Sequence, residues 1–380
     1  MTDKLLFTPG PLNTSPTVKE AMLRDLGSRD DEFIALVRNI RTQLLALANV
    51  SQSSGYESIL IQGSGTFGVE SVLSSVIPSN GKLLALTNGA YGERIIQIAA
   101  RHHIPHEILR WPENRPLDPA TVRAMLESDP ALTHIAAVHC ETSTGILNPI
   151  EPLSEISATF NRPFIVDAMS SFGGIPIDLS SGHIHFLISS ANKCIQGVPG
   201  FSFALARRDA LEASKNSSRT LSLDLYEQWR GLETTGQFRF TPPTHALLAF
   251  AQALKELRDE GGIPARARRY ATNHKLLVDG MRALGFVPYL DPAHQSHIIT
   301  AFHYPTHPNF HFHDFYELLS RRGMVIYPGK LTQVECFRLG NIGHLFPADI
   351  DALLAAISSV LSEMKMPVPV PQPKKRVNRL

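Results

Sequence analysis

Short apolar runs recur along the first two thirds of the chain, and each closes on small, polar or glycine residues. Residues 58–62 run into Gly63-Ser64-Gly65-Thr66, and 82–87 run into Asn88-Gly89-Ala90-Tyr91-Gly92. Residues 134–139 precede Glu141-Thr142-Ser143-Thr144-Gly145, and 163–166 end at Asp167. Two further runs, 186–189 and 201–206, flank Asn192-Lys193. Apolar runs bounded by turn residues predict buried strands. Apolar positions recurring at three- and four-residue spacing predict helices over 17–26, 30–49 and 93–102. Strands alternating with helices predict an α/β fold built on a mostly parallel sheet, whose strand ends are where such folds bind ligands.

Near residue 245 the pattern changes. Helical periodicity covers 247–258, 263–284, 312–322 and 347–363, with strands at 297–303, 324–327 and 335–339. This predicts a smaller α+β domain. The chain divides into an N-terminal arm (1–16), a large α/β domain (17–245), a small domain (246–365) and a tail (366–380). Three prolines and a glycine keep residues 5–16 out of regular structure. The tail holds four prolines and then Lys374, Lys375, Arg376 and Arg379, a composition that predicts disorder.

Composition narrows the function classes. With 380 residues and 43% hydrophobic content the chain can bury two cores. Lysine and arginine total 36 against 35 acidic residues, which argues against a bulk nucleic-acid or membrane-surface binder. The three cysteines, Cys140, Cys194 and Cys336, have no paired spacing, so neither a disulfide framework nor a zinc site is expected. A reduced, cytoplasmic setting fits them. No signal peptide and no membrane span are expected.

The chemistry concentrates at the strand ends. Lys193 stands among Ser189, Ser190, Ala191 and Asn192, and Gly197-Val198-Pro199-Gly200 closes the stretch in a turn. Desolvation disfavours an ammonium, so a lysine in such a setting is a candidate amine nucleophile; otherwise it is a surface loop lysine. Asp167, twenty-six residues earlier, ends a buried strand and needs a partner. That partner is a protonated ring nitrogen, an arginine or a backbone cap. Ser64, Gly65 and Thr66 form a turn before a helix and suit a phosphate, although no P-loop lysine accompanies them. Tyr91 between glycines can lie flat on a ring or simply pack. Thr142 can bond a ring hydroxyl or cap a turn. Arg338 lies in an apolar strand that ends in glycines, where it holds an acid group or an internal ion pair. Together this set fits pyridoxal 5'-phosphate.

Several segments resemble the class V, fold type I aminotransferases: residues 6–12, 62–66, 88–92, 142–149, 165–176, 188–201, 240–245, 325–330 and 337–343. The resemblance implies that Lys193 is the Schiff-base lysine and proton shuttle, and that Asp167 pairs the ring nitrogen. It implies that Tyr91 stacks on the ring and Thr142 bonds its hydroxyl. Ser64, Gly65, Thr66 and Asn192 would take the phosphate, with Thr241 reaching in from the partner of a homodimer. Arg338 would hold the substrate's acid group, helped by Ser15, Thr17 and Arg29 as weaker candidates. The stretches around Lys193 and Tyr327 resemble the branch that works on phosphonate amines. That implies passage of the amino group of 2-aminoethylphosphonate to pyruvate, in phosphonate breakdown. Alanine–glyoxylate or serine–pyruvate transamination, or pyridoxal binding without catalysis, are the alternatives. The resemblance ends near residue 363.

Overall fold

The computed structural model describes residues 3–331 and 334–371. Its centre is a seven-stranded sheet in the order Tyr56–Gln62, Phe201–Arg207, Phe186–Ser190, Phe164–Asp167, His134–Val138, Leu83–Thr87 and His106–Arg110. All neighbours pair in parallel except Phe201–Arg207, which runs antiparallel to both of its partners. The inner strands are apolar on both faces because helices cover both sides, so their sequence reads as unbroken apolar runs rather than as alternation. The register places Val138 opposite Asp167 and Asp167 opposite Ile188, so the residues that follow these strands emerge at one edge of the sheet.

The edge strand His106–Arg110 has no counterpart among the predicted strands. It is partly exposed and carries histidine, glutamate and arginine, so it lacks the apolar signature of its neighbours. The helices Pro119–Ser128, Ile150–Thr159 and Leu225–Thr234 are likewise additional. The helix expected over 17–26 spans only Pro16–Glu20, although Met22 and Leu26 continue its apolar spacing from Val18 and pack on the same core. Residues 324–327 split between Met324–Val325, paired with the arm at Leu5–Leu6, and Tyr327–Pro328, paired with Phe337–Arg338.

A second core gathers Phe286, Phe302, Phe315, Phe337 and the helix Pro347–Glu363 around the three-stranded sheet of the small domain. The change of core falls later than residue 245. Leu247 to Ile263 still belong to the first core, and the second is joined within the helix Gly262–Ala283 at Leu277. The arm is ordered: Phe7 is fully buried in the second core and its carbonyl accepts from Gly340 N at 2.9 Å. Packed chain runs on to residue 371 instead of stopping at 365. Met366 and Val370 are buried, and Val370 N donates to Leu284 O at 2.8 Å. Residues 372–380, with the basic cluster, lie outside the described residues.

Candidate active site

Lys193 lies three residues past the end of the strand Phe186–Ser190, and its amine donates to the carbonyl of Pro9 in the arm at 2.6 Å. The lysine keeps some accessible surface, yet enough protein surrounds its amine that desolvation lowers its pKa, against the opposing pull of Tyr91, Cys194 and Asp167. Gly10 permits this approach. Its φ is +121°, and a Cβ there would lie 2.7 Å from Lys193 Nζ.

Asp167 closes its strand as the sheet ends and is 6% exposed. Its Oδ1 accepts from Met169 N at 2.9 Å, and no cation pairs with it among the described residues. Burial therefore pushes its pKa up to about 6, with nearby Glu141 adding to the rise and Arg94 and Lys193 opposing it. His139, buried beside it, donates its backbone N–H to Asp167 O at 2.9 Å and shares a 3.0 Å bond between Nδ1 and Ser171 Oγ.

Tyr91 lies inside the first turn of the helix Ala90–Arg101, which starts three residues earlier than the sequence suggests. The reason lies elsewhere in the chain. Gly89 supplies no side-chain cap; instead the buried Glu141 carboxylate accepts from Tyr91 N at 3.0 Å and Gly92 N at 3.2 Å. A carboxylate complements the positive end of a helix. Gly89 must be small, since a Cβ would run into the Glu141 side chain. Glu141 is also held by Ser143 Oγ at 2.7 Å, and desolvation still raises its pKa. The Tyr91 ring lies under two cations, Lys330 Nζ at 4.3 Å and the Arg94 guanidinium at 4.9 Å from its centroid. Burial alone would raise the phenol's pKa, but Lys330, Lys193, a Thr142 hydrogen bond and Arg338 together lower it.

Arg338, 5% exposed, donates Nε to Pro328 O at 3.0 Å and Nη1 to Thr142 O at 2.8 Å. Both acceptors are carbonyls, and among the described residues no carboxylate pairs with it. Lys193, Asp167, Tyr91, Thr142 and Arg338 thus converge, close enough that their charges shift one another's acidity.

The turn Ser64-Gly65-Thr66 opens the helix Gly65–Val76 without a side-chain cap, so the helix end is available to an anion. A Cβ on Gly65 would strike Met169, which ties this turn to the Asp167 loop. Thr66 Oγ1 accepts from Arg94 Nη1 at 3.0 Å. Asn192 Oδ1 accepts from Ser190 Oγ at 2.7 Å, one residue from Lys193.

Other expected residues lie apart. Thr241 sits on an exposed loop, its carbonyl accepting from Gln62 Nε2 at 3.3 Å. It lines a separate cavity of about 320 Å³ with Arg29. Ser15 and Thr17 both donate their hydroxyls to Glu256 Oε1, at 2.8 and 2.5 Å. Glu141 and Lys330, which have no role in the sequence reading, are central here. Glu141 was visible only as the acidic member of a hydroxyl cluster, and Lys330 only as a basic residue after Pro328-Gly329.

The residues fit pyridoxal phosphate on observations of this chain. Among the described residues a buried carboxylate without a cation partner suits a positive ring nitrogen, an uncapped helix end suits a phosphate, and a desolvated amine lies near that carboxylate. Cys140 and Cys194 are buried, and burial pushes both thiols up to about 12, so neither is a ready thiolate.

The family described as Aminotransferase class-V matches residues 16–341. The 2-aminoethylphosphonate–pyruvate transaminase of Klebsiella pneumoniae subsp. pneumoniae is 55% identical over 360 residues, covering 94% of this chain and 97% of that protein. The protein of the same description from Salmonella typhimurium is 53% identical over 359 residues, with 94% and 97% covered. Among solved structures, pyridoxamine–pyruvate aminotransferase from Mesorhizobium loti superposes with a TM-score of 0.87 at 23% identity, covering 97% of this chain and 94% of that one. Ureidoglycine–glyoxylate aminotransferase from Bacillus subtilis gives 0.88 at 21% identity, covering 97% and 95%.

Proposed function

The chain belongs to the class-V aminotransferases, and on that premise we propose that it moves the amino group of 2-aminoethylphosphonate to pyruvate, giving phosphonoacetaldehyde and L-alanine. It is a pyridoxal-phosphate enzyme. When bound, the cofactor supplies the carbonyl that takes up the amino group and the ring that accepts a carbanion's electron pair. The remaining work falls to this chain's own groups.

Lys193 would hold the cofactor. Burial lowers the pKa of its amine, and its Nζ would also accept the proton leaving the amine-bearing carbon and return it. Asp167 would keep the ring nitrogen positive, the charge state in which the ring draws electrons most strongly. Ser64, Gly65, Thr66 and Asn192 would take the phosphate at the helix end. Tyr91, fixed through Glu141, would lie against the ring, and Thr142 would bond its hydroxyl. Arg338 would receive the acid group of either substrate, since guanidinium donors suit carboxylate and phosphonate oxygens alike.

One observation carries the substrate side of this reading: the buried Arg338 guanidinium, without a carboxylate partner among the described residues, stands in the same crevice as Lys193. An acid group there would neutralise a charge that is otherwise costly to bury. The test is a panel of amine donors incubated with pyruvate and read as alanine formed. 2-Aminoethylphosphonate is expected to lead serine and other amines by at least about tenfold in kcat/KM; a lead for serine contradicts the assignment.

The reading includes a homodimer in which the partner's loop completes each phosphate site. Phe67, beside the phosphate turn, is 50% exposed, and Phe240, beside Thr241, is 45% exposed. Two such large exposed apolar side chains, one by the phosphate turn and one by Thr241, support an interface that covers them. A fully active monomer by light scattering contradicts it. Three free, buried cysteines support a cytoplasmic setting, and no described helix is long and apolar enough to cross a membrane.

A further inference from the structure

A phosphonate carries up to two negative charges near neutral pH, whereas a carboxylate carries one. Arg338 balances only one of them. With Ser15 and Thr17 committed to Glu256, a second receptor group must come from elsewhere. We propose that Lys330 is that group, and that Lys330 and Arg338 form a two-cation receptor selecting a phosphonate dianion. The proposal rests on the transaminase reading and names the residue that sets its substrate class.

The hairpin geometry carries it. Tyr327–Pro328 pairs antiparallel with Phe337–Arg338, so Tyr327 stands opposite Arg338, and Pro328 O accepts from Arg338 Nε at 3.0 Å. The next residue, Gly329, packs so tightly on the Cys336 backbone that a Cβ would collide with it. Only glycine allows this approach, and it brings Lys330 back beside the strand that carries Arg338. The Lys330 amine then lies 4.3 Å from the Tyr91 centroid, and Arg338 lies near enough to the same tyrosine for the two to bias each other's acidity. Two cations therefore share one aromatic side chain at the mouth of the Lys193 crevice. Among the described residues neither makes an ion pair with a carboxylate. Like charges brought together without a counterion repel, so the arrangement is best satisfied by a doubly charged ligand. The flexible four-carbon stem lets the Lys330 amine move from the tyrosine face to such an anion.

The test uses the holoenzyme and two acids that lack an amine and cannot react, ethylphosphonate and propionate. Their dissociation constants are measured by calorimetry for wild type, Lys330→Gln and Lys330→Arg. Losing a charge-assisted bond should weaken ethylphosphonate about 10- to 100-fold in Lys330→Gln, with propionate changed less than about threefold. Lys330→Arg should recover most of the phosphonate affinity. In turnover, Lys330→Gln should lower kcat/KM for 2-aminoethylphosphonate by the same factor, and Lys330→Arg should restore most of it. Equal loss for both acids, or none for ethylphosphonate, overturns the receptor. A wild-type enzyme inert to 2-aminoethylphosphonate, yet with ethylphosphonate binding that depends on Lys330, overturns the transaminase reading and leaves the receptor standing.

Discussion

The Lys193 amine donates to the Pro9 carbonyl at 2.6 Å, a contact spanning 184 residues of sequence. The N-terminal arm is therefore a wall of the active site as well as a strap between the two cores. Gly10, next along, has the positive φ and the missing side chain that this contact requires. Gly10→Ala should cost about 1 kcal/mol or more of stability through its backbone conformation alone. It should also displace the lysine and lower activity at least about tenfold, since small misplacements of a reacting group are expensive. Thermal unfolding and turnover of the variant check the two effects separately.

Glu141 holds the helix end that carries Tyr91. Glu141→Ala would leave two backbone donors and Ser143 without their partner in a buried place, a loss of roughly 1–3 kcal/mol. Cofactor affinity should fall with it, because the tyrosine loses its anchor. Glu141→Gln keeps an acceptor oxygen and should fall between the two. Urea unfolding together with cofactor titration of the apoenzyme distinguishes these outcomes.

Burial pushes the imidazoles of His134, His139, His185 and His274 down to about 4. The folded value lies below the ordinary 6.5, so between about pH 4 and 6.5 the unfolded chain holds more protons. Stability should rise with pH across that window and level off above it. Asp167 works in the opposite sense, since its pKa is raised to about 6 and the folded state favours its protonated form below that. Urea midpoints at pH 4.5 and pH 7 should differ in favour of pH 7. Asp167→Asn should steepen the rise, and His139→Gln should flatten it.

Arg338→Lys should impair both half-reactions, by about 2–3 kcal/mol each, because lysine cannot reproduce the forked donors that reach Pro328, Thr142 and a bound acid group. Single-turnover absorbance with 2-aminoethylphosphonate, and separately with pyruvate, reads each half. A pyruvate half that collapses beside an intact phosphonate half would show that Arg338 serves carboxylates alone.

The inner sheet, and the candidate residues Asp167 and Lys193 at its strand ends, were legible because they close short apolar runs, and burial on both faces leaves those runs uninterrupted. The exposed edge strand His106–Arg110 gave no such signal. The early start of the Ala90–Arg101 helix was hidden as well, because its cap comes from Glu141 rather than from a neighbouring residue. Lys330 at Tyr91, and Ser15 with Thr17 at Glu256, are contacts between distant segments that no local pattern encodes.

The most direct test of the account is borohydride reduction of the holoenzyme followed by peptide mass spectrometry. The pyridoxyl mass is predicted on the peptide containing Lys193. It should be absent when 2-aminoethylphosphonate is added before reduction, and restored when pyruvate follows. A label on another lysine, or a Lys193 label indifferent to 2-aminoethylphosphonate, would contradict the account.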